Sequence, residues 1–210
     1  KGGAQNAGLL TFGLSTAIAA GADVSVSYDA RFGDGDSLRG MAWKDPRDGT
    51  GLWWKLVNRN KRNIALDLKN DADREIFLRL IDDANVLVEN FRPGTLERLG
   101  LGPELLLKRN ANLVITRVSG FGQTGPYKDR PGFASIAESM SGLAAISGEP
   151  DGPPMLPPIA LTDEVTGVVA AFATMVALHS KVGQVVDVNL LETMFQIMGP
   201  LISLFMLTGQ

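Results

Sequence analysis

Apolar and polar positions alternate between two periods along this chain. Ala22-Asp23-Val24-Ser25-Val26 and Asn63-Ile64-Ala65-Leu66-Asp67-Leu68 predict short strands. From Asp71 to Ala84, the residues Ile76, Phe77, Leu80 and Ile81 recur at helical spacing, with Asp71 or Asp73 placed to cap the helix. Asn85-Val86-Leu87-Val88 is a continuous apolar run, the pattern of a strand buried on both faces. Pro93 opens a short helix over Thr95–Leu99, ended by Gly100, and Pro103 opens another over Glu104–Arg109. The remaining pattern predicts a strand at Leu113–Val118, a helix at Ser135–Ile146, a longer helix at Leu161–Ser180, a strand at Val185–Val188 and a helix from Leu191 onward. Alternating strands and helices imply an α/β domain, a mostly parallel sheet with helices on both faces. Gly33–Gly51 is the one long irregular stretch.

In such sheets ligands bind at the carboxyl ends of the strands. Glu89-Asn90-Phe91-Arg92-Pro93-Gly94 and Ser119-Gly120-Phe121-Gly122-Gln123-Thr124-Gly125-Pro126-Tyr127 fall there. A third Gly/Pro loop, Gly148-Glu149-Pro150-Asp151-Gly152-Pro153-Pro154, precedes a lone acid, Asp163, at the start of a small-residue helix. Such loops bring backbone N–H groups close to a ligand.

Composition narrows the chemistry. The 210 residues carry a net charge of −3, and 45% are hydrophobic, enough for a core and without a basic field for nucleic acid. With no cysteine there is no disulfide and no thiolate chemistry, and with one histidine a His-based metal centre has no basis. The apolar stretches Val165–Leu178 and Ile197–Leu207 fall short of the roughly 20 residues that span a bilayer, so they read as core helices or a subunit interface, with no membrane partner. No signal peptide is recognisable, which favours a cytoplasmic protein.

The three loops and the acid, in this order and with these letters, resemble the class III CoA-transferases from about Ala22 to about Glu192. That group includes formyl-CoA and carnitine CoA-transferases and shares its fold with the α-methylacyl-CoA racemases. The resemblance implies the Rossmann-like large domain of such an enzyme over residues 1–210, with the second, smaller domain and the C-terminal return missing. It also implies acyl-CoA and a free carboxylic acid as substrates, no metal, and an interlocked homodimer. Asp163 matches the catalytic aspartate, whose carboxylate attacks the thioester and forms a mixed anhydride. Without the resemblance, Asp163 reads as an ordinary acid at a helix N-terminus.

Asn90, Phe91 and Arg98 match positions that line the CoA site, and Arg92 stands in the same loop. Leu66 and Lys69 match positions beside the adenine and ribose, at the end of the basic run Asn58–Asn63, and Arg31 is a candidate for that region. Phe133 stands where the racemases place a histidine. His179, the only histidine, is about 24 Å further along the helix that starts near Asp163. Racemase chemistry therefore lacks its second base unless Glu138 or Glu164 replaces it. A non-catalytic CoA-binding fragment or scaffold is the remaining alternative. Trp43, Trp53 and Trp54 carry no assignment.

Overall fold

The computed structural model describes residues 26–27, 37–41, 43–59, 61–64 and 66–209. Arg31, residues 22–25 of the predicted Ala22–Val26 strand, and residues 33–36 and 42 of the Gly33–Gly51 stretch lie outside these. Five strands are described: β1 (Val26–Ser27), β2 (Arg62–Asn63), β3 (Val86–Glu89), β4 (Val114–Ser119) and β5 (Gln184–Asn189). β1 pairs with β2, and β3-β4-β5 form a second sheet with β4 in the centre. Every one of these pairings is parallel.

Alternation along β3 and β4 explains why both faces of the larger sheet are covered. Leu87 and Ile115 point to one side, where they meet Phe77 and Ile81 of α2 (Asp71–Asp83), Leu96 of α3 (Thr95–Arg98) and Leu106 of α4 (Pro103–Arg109). Val88 and Val188 point to the other, against Ala170 and Ala171 of α7 (Leu161–Ser180). Small residues let α7 lie close to the strands, and Thr174 bonds Thr116 of β4 across the interface at 2.6 Å. The predicted α/β class is therefore the observed one.

Local elements depart from the sequence expectation in five places. The strand expected at Asn63–Leu68 is confined to Arg62–Asn63, and Leu68 and Lys69 already form a turn. The cap of α2 is Asn70, which accepts from the backbone N–H groups of Ala72 and Asp73, rather than Asp71 or Asp73. The helix expected at Ser135–Ile146 is two, α5 (Ala134–Met140) and α6 (Leu143–Ile146), because Gly142 at φ 90° breaks the ladder. The final helix is α8 (Leu190–Ile197) and α9 (Leu201–Thr208), parted at Gly199-Pro200. A further helix, α1 (Leu52–Val57), carries no apolar period long enough to announce it.

α7 is 20 residues long and apolar enough, by length and composition, to cross a membrane. Its ends are the predicted Leu161 and Ser180, and the apolar Val165–Leu178 stretch, too short by itself to span a bilayer, is the middle of this longer helix. One face is taken up by the sheet. The other exposes Val168, Val169, Phe172, Met175 and Val176.

Candidate active site

The carboxyl ends of β3 and β4 are tied together beneath the first loop. Glu89, 1% exposed, accepts from the backbone N–H of Phe91 at 2.7 Å with Oε2 and from Arg117 Nε at 2.5 Å with Oε1. Arg117 stands opposite Glu89 in the strand register and also donates through Nη1 to Glu97 Oε1 of α3 at 2.8 Å. A buried ion pair offsets its desolvation only when the remaining polar atoms are satisfied, and here both carboxylate oxygens are used. The result fixes Asn90–Gly94 against β4 and α3.

The second loop is shaped by its own hydrogen bonds. Ser119 Oγ accepts from the backbone N–H of Gly122 at 3.0 Å, and Asp187 Oδ2 of β5 accepts from that of Gln123 at 2.8 Å. Gly120 lies directly against Gly132. A Cβ on Gly120 would sit 2.5 Å from Gly132 Cα, and one on Gly132 would sit 2.7 Å from Gly120 Cα. Backbone packs on backbone at this point, and Phe133 follows as the N-cap of α5 with its ring exposed.

Asp163 stands in the first turn of α7. It is partly buried, and among the described residues its carboxylate has no hydrogen-bond partner. Burial, followed by the charges of Glu138 and Glu164, pushes its pKa up to about 6. The N–H groups of the helix start oppose this rise but do not contact the carboxylate directly. Glu138 of α5 is itself buried and accepts from the Thr162 hydroxyl at 2.7 Å, one residue before Asp163.

These parts enclose a cleft of about 620 Å³ at the carboxyl edge of the sheet. It brings together Asp163, Asn90, Phe91 and Arg92 of the residues expected from the sequence, and Phe133 and Glu138 join them. Arg98, Leu66 and Lys69 are not among its lining residues. Arg98 donates to Thr95 Oγ1 at 2.8 Å and lies against Gly94, behind the first loop. Leu66 is buried in the core beside Leu68 and Phe77, and Lys69 is exposed. Glu164 is exposed outside the cleft, and His179 is exposed near the far end of the continuous α7.

Sequence reasoning left several lining groups unassigned. Trp53 and Met41 form part of one wall, and Lys128 and Arg130 supply cations on another, with the Arg130 guanidinium 4.3 Å from the Tyr127 ring centre. Trp54 by contrast is buried, with Arg39 over its ring at 3.9 Å. Thr166, three residues after Asp163, also lines the cleft. That i, i+3 spacing was the one signal available for it.

Comparison with known proteins agrees with this architecture. A Chloroflexus aurantiacus succinyl-CoA–D-citramalate CoA-transferase is 43% identical over 182 residues, covering 84% of this chain and 45% of that protein. An Agrobacterium fabrum succinate–glutarate CoA-transferase is 37% identical over 179 residues, covering 82% and 45%. The crystal structure of a CaiB/BaiF family protein from Brucella suis superposes with a TM-score of 0.86 at 28% identity, covering 99% of this chain and 56% of that one. The chain thus spans about half the length of the curated relatives it matches. Residues 19–210 match the profile of CoA-transferase family III, and the chain belongs to that family.

Proposed function

We propose that this chain carries the nucleophile and part of the CoA site of an enzyme that moves coenzyme A between carboxylic acids. One observation carries the reading. Asp163 is a partly buried carboxylate free of hydrogen bonds, opening into the cleft where a parallel α/β sheet binds its ligands. Hydrogen bonds would spread its negative charge, and their absence leaves it nucleophilic.

The chemistry follows from that carboxylate. An Asp163 oxygen attacks the thioester carbonyl, the new C–O bond forms, and the C–S bond breaks with CoA leaving as thiolate. The product is a mixed anhydride. The thiolate then attacks the Asp163 carbonyl carbon, the acyl carboxylate leaves, and CoA is held on Asp163 as a thioester. An incoming carboxylate reverses both steps with a new acyl group. Asn90, Phe91 and Arg92 hold CoA near the reacting carbon, through loop and helix-start N–H groups and the Arg92 cation. By the family resemblance, Arg98 also lines the CoA site, and Leu66 and Lys69 stand beside its adenine and ribose, with Arg31 a candidate for the same region. The curated relatives named above act on succinyl-CoA or succinate, so a dicarboxylic acyl group is the first substrate to assay. The working unit is a homodimer.

In the full-length enzyme, Asp163→Ala abolishes transfer, and hydroxylamine traps a hydroxamate at Asp163 of the wild type during turnover. Near-normal turnover of Asp163→Ala defeats the assignment. A second reading, proton exchange next to the thioester carbonyl, has one observation in its favour: Glu138 lines the same cleft as Asp163. Phe133 cannot take a proton, and the Glu138 carboxyl is already bonded by Thr162. A chiral 2-methylacyl-CoA in heavy water therefore keeps its configuration and gains no deuterium. Uptake that disappears with Asp163→Ala selects the second reading.

A further inference from the structure

Thr166 stands one turn beyond Asp163 on α7, only 1% exposed. It lines the cleft, and among the described residues its Oγ1 has no hydrogen-bond partner. Buried hydroxyls are ordinarily paired, so each exception asks for a reason. A helical threonine also has a default acceptor, the carbonyl four residues back. Thr174 of the same helix uses it, donating to Ala170 O at 2.7 Å. Thr193 and Thr208 do likewise, to Asn189 O at 2.8 Å and Leu204 O at 2.9 Å. Thr166 does not.

Helical side chains lean toward the N-terminus, so Thr166 leans toward the turn that bears Asp163. The other hydroxyl of that turn, on Thr162, is committed to Glu138. A buried hydroxyl with no partner among the described residues thus lines the same cleft one helical turn beyond the proposed nucleophile.

We propose that Thr166 is a catalytic residue, its hydroxyl donating a hydrogen bond to the Asp163 side-chain oxygen that gains charge when CoA thiolate attacks the acylated aspartyl carbon. This rests on Asp163 being the nucleophile. In that step the sulfur forms a bond to the carbonyl carbon of Asp163, and the π pair moves onto the carbonyl oxygen. The Thr166 O–H then bonds an oxyanion. As the tetrahedral species collapses, the C–O bond to the acyl carboxylate breaks and that carboxylate leaves with the electron pair. No proton is transferred, and Thr166 keeps its own throughout. The bond is stronger to the oxyanion than to the carbonyl, so it lowers the barrier rather than tightening substrate binding.

The test uses the full-length enzyme with Thr166→Val, which keeps the shape, and Thr166→Ser, which keeps the hydroxyl. Hydroxylamine trapping comes first. A wild type that yields no hydroxamate at Asp163 overturns the nucleophile itself, and this proposal with it. With the hydroxamate present, Thr166→Val lowers kcat by about 100- to 1000-fold, the usual cost of losing one oxyanion donor, with KM for acyl-CoA nearly unchanged. Thr166→Ser restores most of that rate. Thermal melting of Thr166→Val stays at or above the wild-type midpoint, because the lost hydroxyl had no partner. A Thr166→Val enzyme with wild-type kcat overturns the proposal. So does an equal loss in Val and Ser variants, which indicates packing.

Discussion

Asp163→Asn should make the protein more stable at neutral pH, and the gain should depend on pH. The carboxylate is held at a pKa of about 6 by burial and by the charges of Glu138 and Glu164, against an ordinary value of 3.8. The folded state therefore holds the proton more tightly than the unfolded chain. Stability is lost as pH rises from about 3.8 to about 6, and above that the whole penalty is present. At 1.36 kcal/mol per pKa unit the shift corresponds to about 3 kcal/mol for a fully buried group. Because Asp163 still reaches water, about half of that is the expected effect. An amide has the same shape and no charge. Its own lack of partners costs the same at every pH, so the diagnostic is the slope. Equilibrium unfolding in urea of wild type and Asp163→Asn, from pH 4.5 to 8, should show a difference that widens up to about pH 6–7 and then levels. A flat difference across that range would refute the account of Asp163 as a high-energy carboxylate. The same substitution removes the proposed nucleophile, so under the proposed function stability rises where activity is lost.

Two further outcomes follow from the network around the cleft. Glu138→Gln should move the acidic limb of the pH–kcat/KM profile to lower pH, because it removes a neighbouring negative charge and keeps an acceptor for Thr162. An unmoved limb would mean that the Glu138 charge does not reach Asp163. Arg117→Met should cost about 3–5 kcal/mol in urea unfolding, since it strands the buried Glu89, and Glu89→Gln in the same chain should recover part of the loss.

The sheet and its long helices were legible because their signals are local. Val86–Glu89 sits on the apolar run Val86-Leu87-Val88, Val114–Ser119 follows the apolar Leu113-Val114-Ile115, and the ends of Leu161–Ser180 were read correctly. Gly142 was not legible as a break, since the apolar spacing continues on either side and only its left-handed backbone ends α5. The Asn63–Leu68 pattern suits a strand, yet most of it finds no partner among the described strands. Asp163 and the Asn90 loop were visible through the order of motifs. Glu89 with Arg117, and Glu138 with Thr162, were not, because they join residues 28 and 24 positions apart in the chain. The free hydroxyl of Thr166 is a fact of packing, and no sequence pattern encodes it.

The contact between Gly120 and Gly132 limits how this site can evolve. Every codon change that replaces a glycine brings at least a Cβ, and neither position has space for one. A compensating change at the partner is barred as well, because the obstruction is backbone rather than a side chain that could shrink. The two positions therefore form a fixed seam, closed to single mutational steps. Under the proposed function, new acyl specificities would be reached instead through cleft-wall residues with side chains to change, such as Met41, Trp53 and Phe133. Mutant libraries that spare the two glycines and randomise those three should yield altered substrate preference at little cost in folded protein.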